Sequence, residues 1–346
     1  MNIIQSKQRL WLAGRAMRLI IREDAEIRLR VKASVLATIM ANLVRSAKSG
    51  SSWGMNELIA FNIEVIDVNA QTFFGNAILP QLTVSPVILD NLEEPAGPLH
   101  KADMDFFAYM EDAMIIPPGE ESLVDDFAAF VLKMMRYDEG RRVIHLRKEM
   151  GFEMCGQRVD AKTDVCVMER SGTGAKYLLL VQEDKVRKPC ICVSKIYSPV
   201  TLSKRHLSKD DPEPQLIAEA IAALYENNRA RKAAGLTKLQ YKTFAGITMV
   251  GTAPTFYKIP VTDEILISLA TSQYPPQVTT VEKLVPPVPF PERLANDGMK
   301  PLVNRRIILQ CFEAFRQFVV SFPAYLGVNS LSDENVARIE MKVLRI

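Results

Sequence analysis

The sequence predicts a mixed α/β protein, and three observations predict it. Short apolar, strand-like runs cluster in the middle of the chain, as in "DVCVMER" and "KYLLLVQEDK". A helix-patterned segment precedes the cluster and another follows it. Strands grouped between helices imply a sheet with helices on one or both faces. At 346 residues, 48% hydrophobic and 24% charged, the chain can bury one large core or two modest ones.

Taken in order, residues 6 to 48 read as helix with one break, because apolar residues such as Leu36, Ile39, Met40 and Leu43 recur at three- and four-residue steps. "SAKSGSSWG" ends that segment with glycine and serine. Residues 56 to 115 are mixed, and "NELIAFNIEVIDVN" reads as helix turning into strand. In "PPGEESLVDDFAAFVLKMMRYDEG" the prolines stop the preceding element and Ser122 can cap a helix from 122 to about 137. Acids fill the first turn of that helix, and Phe127, Phe130, Val131 and Met134 form its apolar stripe. "RRVIHLRKEMGFEMCGQRVDAKT" reads as a strand or bent strand pair. "DVCVMER" is a short strand, "SGTG" a turn and "KYLLLVQEDK" a buried strand. After a polar link, "PQLIAEAIAALYENNRARKAAGL" is a helix from 214 to about 233, with Pro214 near its start and Gly235 past its end. "GITMVGTAPTFYKIPVT" reads as a hairpin and "DEILISLATSQY" as a helix. "PPQVTTVEKLVPPVPFPERL" reads as an extended, Pro-rich surface segment, and "NRRIILQCFEAFRQFVVSF" as a late helix. This gives three regions: a helical 1–120 packing on the core, a core over 121–262, and a helical, Pro-rich 263–346.

Composition excludes several classes. The net charge of +3 implies no partner by itself, although Lys7, Arg9, Arg15, Arg18 and Arg22 precede the first acid, Glu23. That asymmetry suits a solvated helix face as well as a polyanion. Five cysteines without a repeated spacing argue against a disulfide framework. Cys190 and Cys192 would share a strand face, but no second pair completes a zinc site, so they read as core thiols. No apolar run is long enough to span a bilayer, and the N-terminus lacks a secretory h-region. The expected location is intracellular, nuclear or cytoplasmic, with oligomeric state left open. "SGTGAK" leads into a strand rather than a helix, unlike a phosphate-binding loop. His100, His145 and His206 form no ligand pair, and no G-x-S-x-G supports a serine hydrolase.

The chemistry-bearing pattern lies in "DVCVMERSGTGAKYLLLVQEDK". Asp164 and Glu183 are 19 positions apart, the gap of two strands and a tight turn. A hairpin would bring both to one sheet end, with Lys185 on the face of Glu183 because side chains alternate. Two carboxylates and the main-chain carbonyl of Asp184 suit a hard cation such as Mg²⁺ or Mn²⁺. Such an ion polarises a phosphodiester and acidifies a bound water, which a lysine can orient. The plain alternative is a charged strand end whose Lys–Glu pair contributes little.

This pattern resembles the PD-(D/E)XK nuclease superfamily, whose core runs helix, three strands, helix, strand. The resemblance covers about residues 120 to 262. It implies a restriction-endonuclease-like αβββαβ core with added N- and C-terminal helices. It also implies metal-dependent hydrolysis of DNA or RNA, with Asp164, Glu183 and Lys185 catalytic. Asp164, Glu183 and the Asp184 carbonyl would hold metal. An additional acid on the first helix would be Glu121, Asp125 or Asp126, and supporting residues on the second helix would be Gln215 and Glu219. Thr163 stands where the motif often has proline. The alternative on the same scaffold is a catalytically inactive module that binds nucleic acid or protein. Lys204, Arg205, Lys209, Arg229 and Arg231 could touch a phosphate backbone, although basic residues also suit a helix C-terminus. Finally, "PEPQLIAEAIAALYENN", "GITMVGTAPTFYKIPVT" and "NRRIILQCFEAF" resemble segments of a family common in mushroom-forming fungi. That resemblance implies a eukaryotic, expanded family and leaves function to the nuclease-like core.

Overall fold

In the computed structural model, residues 45–115, 122–171, 174–183 and 211–319 are described. Seven strands form one mixed sheet: β1 Ile63–Asp67, β2 Arg142–Met154, β3 Gln157–Ser171, β4 Gly174–Glu183, β5 Tyr241–Val250, β6 Ala253–Thr262 and β7 Thr279–Leu284. Their spatial order is β1-β7-β6-β5-β4-β3-β2. The pairs β1/β7 and β4/β5 are parallel and the others antiparallel.

The central hairpins follow from local chemistry. Cys155 and Gly156 both have positive φ, 53° and 73°, which is what a two-residue turn between Met154 and Gln157 requires. The "SGTG" stretch joins β3 to β4 with Ser171 paired to Gly174, a hairpin as its glycines predict. β4 pairs parallel with β5, so the chain must cross over, and α6 Pro212–Ala233 makes that crossing. Asp211 caps α6, accepting from Glu213 N at 3.0 Å, with Pro212 in the first turn. The preceding helix, α5 Ser122–Met134, brings an acid-bearing first turn.

Helices cover both faces. On one face α4 Lys101–Met114, α5 and α9 Leu302–Phe315 pack Phe106, Phe127, Phe312 and Phe315 over Val165, Val167, Leu179, Val181 and Ile247. On the other, α6 lays Leu216, Ile217, Ile221 and Leu224 over Cys166, Leu180, Phe244 and Tyr257. Alanines at 218, 220, 222 and 223 bring that helix close to the sheet. Gly246 lies beneath it, and a Cβ there would come 3.0 Å from a Leu216 methyl. Burying a leucine-sized side chain contributes roughly 1.5–3 kcal/mol, so the two apolar layers dominate the fold's stability.

The remaining helices are short: α1 Met55–Ala60, α2 Ala70–Phe74, α3 Pro86–Asp90, α7 Asp263–Ala270 and α8 Leu294–Asp297. The helix-to-strand reading of "NELIAFNIEVIDVN" holds as α1 and β1. The hairpin over 246–262, the helix from 263 and the late helix read from 304, which begins at Leu302, also hold. The Pro-rich stretch after residue 274 departs from its surface reading. Its "TTVEKL" stretch is β7, which pairs with both β6 and β1. The prolines flank that run without entering it, so they limit its length and leave its ladder intact. The predicted N-terminal helix lies outside the described residues as far as position 44, and its expected last residues, 45–48, are not helical. Cys190 and Cys192 also lie outside them. Cys155, Cys166 and Cys311 are free thiols, and burial pushes Cys166 and Cys311 up to about 12. No described helix is long and apolar enough to cross a membrane.

Arg305 joins distant parts of the helical layer. It is fully buried in α9, pairs with no carboxylate among the described residues, and burial lowers its pKa to about 10. Its guanidinium donates to the carbonyls of Met299 at 3.0 Å, Ile88 at 2.7 Å, Asn91 at 2.5 Å and Leu92 at 3.1 Å. It also lies over the Phe106 and Phe107 rings at 5.4 and 5.6 Å.

Candidate functional site

Asp164 lies in the middle of β3 rather than at its start, because β3 runs unbroken from Gln157. Val165 pairs with Val181, so continuing the register by one residue sets Asp164 across from Gln182. The side chains bear this out: Gln182 Nε2 donates to Asp164 Oδ2 at 2.7 Å. Glu183 is the last residue of β4, paired with Met249 of β5; it lies at the same end of the sheet one position beyond Gln182, so strand alternation sets its position on the other face and not on the face expected to be shared with Asp164. Asp184 and Lys185 lie outside the described residues, as do Lys204, Arg205, Lys209 and Glu121.

Two irregularities set this register. Between β3 and β4 the pairing shifts at Val167/Met168, where β4 carries one extra residue, Leu178. Between β2 and β3 the pairs Leu146↔Val165 and Lys148↔Thr163 flank Arg147, whose φ is +52°. Arg147 therefore sits at the bend of the edge strand, opposite Asp164. Thr163 is fully buried, and its hydroxyl lies 2.9 Å from Val165 O and 3.1 Å from Val181 O. That hydroxyl ties the two strands together where the nuclease pattern often places a proline.

The second helix contributes the most unusual group. Glu219, in α6, is 1% exposed, and its Oε2 has no hydrogen-bond partner among the described residues. Burial raises its pKa well above the usual carboxylate range, the nearby Asp164 carboxylate raises it further, and Thr163 pulls it down. Asp164, Thr163 and Glu219 are thus electrostatic neighbours on the α6 face of the sheet. Gln215, one helical turn before Glu219, is also buried. Asp125 is buried in the first turn of α5. Lys148 reaches the same neighbourhood, since both Glu219 and Lys148 act on the Cys166 thiol.

The weak nucleic-acid contacts proposed at the far end of α6 are already engaged. Arg229 bonds Glu226 at 2.7 Å, and Arg231 donates to Thr237 O at 2.7 Å. At 1.5 Å per residue they also lie roughly 15 Å along the helix from Glu219.

Among the described residues no three His, Cys, Asp or Glu side chains gather closely enough to hold a metal ion. The donor chemistry present nevertheless suits a hard cation. A half-buried carboxylate, Asp164, stands beside a buried carboxyl whose Oε2 is unpartnered, at the end of β4 that carries Glu183. Gln182 is the residue that sequence reasoning missed. It is a neutral residue beside an acidic run, and only the bulge at Leu178 places it across from Asp164. The cation at position 148 was missed because its approach depends on the bend at Arg147.

Fold and site together define a mixed α/β protein with a carboxylate pair where β3, β4 and α6 meet. No protein-family model and no curated protein matches the chain.

Proposed function

We propose that the protein is a metal-dependent nuclease of PD-(D/E)XK type that hydrolyses phosphodiester bonds of DNA or RNA. One observation carries the reading. The chain runs α5, β2, β3, β4, α6, β5, and that order brings Asp164 and the end of β4 together beside buried Glu219. This order matches the helix, three strands, helix, strand expected of a restriction-endonuclease-like core, with β1, β6, β7 and the other helices outside it, and it supports the reading.

In this reading Asp164 and, one position past Gln182 on β4, Glu183 with the Asp184 carbonyl would hold Mg²⁺ or Mn²⁺, and the ion would supply Lewis-acid charge against the phosphodiester oxygens. Gln182 fixes the Asp164 carboxylate through its 2.7 Å hydrogen bond. Glu219 keeps the region behind Asp164 anionic or neutral according to its own proton. Lys185 orients the attacking water and offsets charge in the transition state. Asp164→Ala should abolish metal-dependent cleavage of nucleic acid while leaving the melting temperature within a few degrees of wild type. Cleavage that survives with unchanged metal dependence would remove Asp164 from the mechanism and the reading with it.

A second reading has its own support. The residue directly across from Asp164 is neutral Gln182, which occupies one carboxylate oxygen. A catalytically inactive module that binds nucleic acid or protein would tolerate that arrangement. Thermal melting separates the two. A metal site stabilises the folded chain on addition of millimolar Mg²⁺ or Mn²⁺, whereas the inactive module melts at the same temperature with and without metal.

A further inference from the structure

Among the described residues, the terminal strand of the sheet carries cations that make no ion pair. That strand, β2, has no partner among the described residues on its outer side in the seven-stranded order. Residues 141 to 148, "RRVIHLRK", hold four Lys or Arg and no acid. Arg141, Arg147 and Lys148 are exposed, and so is Arg170 of β3, whose backbone N–H donates to Arg141 O at 2.9 Å. Among the described residues none of these four cations is ion-paired. Acids further along the hairpin are otherwise placed. Glu153 accepts from Tyr225, Glu169 holds Lys176, and Glu149 lies across from Lys162.

The strip is continuous as a field as well as a list of charges. His145, between its two halves, has its pKa lowered by burial first and then by Lys148 and Arg170. One strip thus places like charges on both sides of one imidazole. At about 3.3 Å per strand residue, Arg141 and Arg147 are roughly 20 Å apart. That is close to the length of six nucleotides of one duplex strand at about 3.4 Å each. The bend at Arg147 places the end of the strip opposite Asp164.

We propose that this outer edge of β2 is the dock for a nucleic-acid strand, holding its phosphates with Arg141, Arg147, Lys148 and Arg170 so that the strand passes Asp164. The inference rests on the nuclease reading for the identity of the polyanion. The binding itself needs no chemistry at Asp164. The strip has no aromatic platform for stacking, and its cations are assigned to phosphates, which carry no sequence information, so the hold is independent of sequence. The bend and the cations also keep β2 from pairing with another sheet edge.

The test is fluorescence anisotropy of the full chain with labelled oligonucleotides of two unrelated sequences, in EDTA, across 50 to 200 mM salt. Two double variants are compared, Arg147→Asn with Lys148→Gln, and Arg141→Gln with Arg170→Gln. Asparagine is chosen at 147 because it tolerates positive φ. Each phosphate contact contributes about 0.9 to the slope of log K against log salt on duplex and about 0.7 on single strands. Each double variant should therefore lower that slope by about 1.4 to 1.8, equally for both sequences, without changing the melting temperature. Unchanged slopes in both variants, or heparin binding that nucleic acid cannot compete, would overturn the dock. Asp164→Ala should bind like wild type. If it binds normally and still cleaves, the nuclease site falls and the dock stands; if it loses cleavage while the double variants bind normally, the reverse holds.

Discussion

Glu219 allows the electrostatics of the site to be weighed without any substrate. Its carboxyl is 1% exposed, with burial and then Asp164 raising its pKa. An acid whose folded pKa is raised costs nothing below its unfolded value, about 4.3, because both states are then protonated. Above that value the unfolded chain releases the proton and the folded chain keeps it. Stability is therefore lost as pH rises, by about 1.4 kcal/mol per pH unit for as long as the folded carboxyl stays protonated. Glu219→Gln keeps the shape and a neutral head group while removing the titration. Urea unfolding of both proteins in metal-free buffer should give a stability difference, variant minus wild type, that grows with pH at about that rate. Parallel pH profiles would refute the reasoning, since they would mean that Glu219 ionises as readily in the folded chain as in the unfolded one.

The other predictions concern the scaffold. Arg305→Ala leaves four carbonyl partners behind and opens a cavity between α3, α4 and α9. It should cost about 4 kcal/mol or more in urea unfolding, given about 1–3 kcal/mol per buried group left unsatisfied; a loss under 1 kcal/mol would show that solvent already serves those carbonyls. Gly298 has φ of +49°, and a Cβ there would collide with Thr252 Oγ1, which accepts the Met299 N–H at 2.9 Å. Gly298→Ala should lower the melting temperature by several degrees, whereas Gly75→Ala, at φ +77° with open space around it, should cost less.

Much of the fold was legible because the chain's periodicities switch cleanly. The stripe of Phe127, Phe130, Val131 and Met134 marks α5, and the glycines of "SGTG" mark a turn that could only join two strands. The Pro-rich stretch misled because flanking prolines dominate its composition, while "TTVEKL" between them has strand alternation that six residues barely express. The site was legible as a neighbourhood, and its register was not. Counting outward from a regular turn cannot foresee that Leu178 adds a residue to β4, and that one residue moves the position facing Asp164 from Val181 to Gln182. Arg305 read as one more polar residue of an amphipathic helix. Its burial comes from carbonyls near residues 88 to 92, more than 200 positions away, which no local pattern announces.

The parallel pairing of β1 with β7 has a consequence for how the molecule comes into being. Ile63 finds its partner only at Thr279, so a ribosome must deliver most of the chain before the first strand has anywhere to go. A fragment cut to residues 121–262 would leave β6 as a bare border lacking β7, and the stretch that looks most self-sufficient in sequence would be the one most prone to clump when expressed alone.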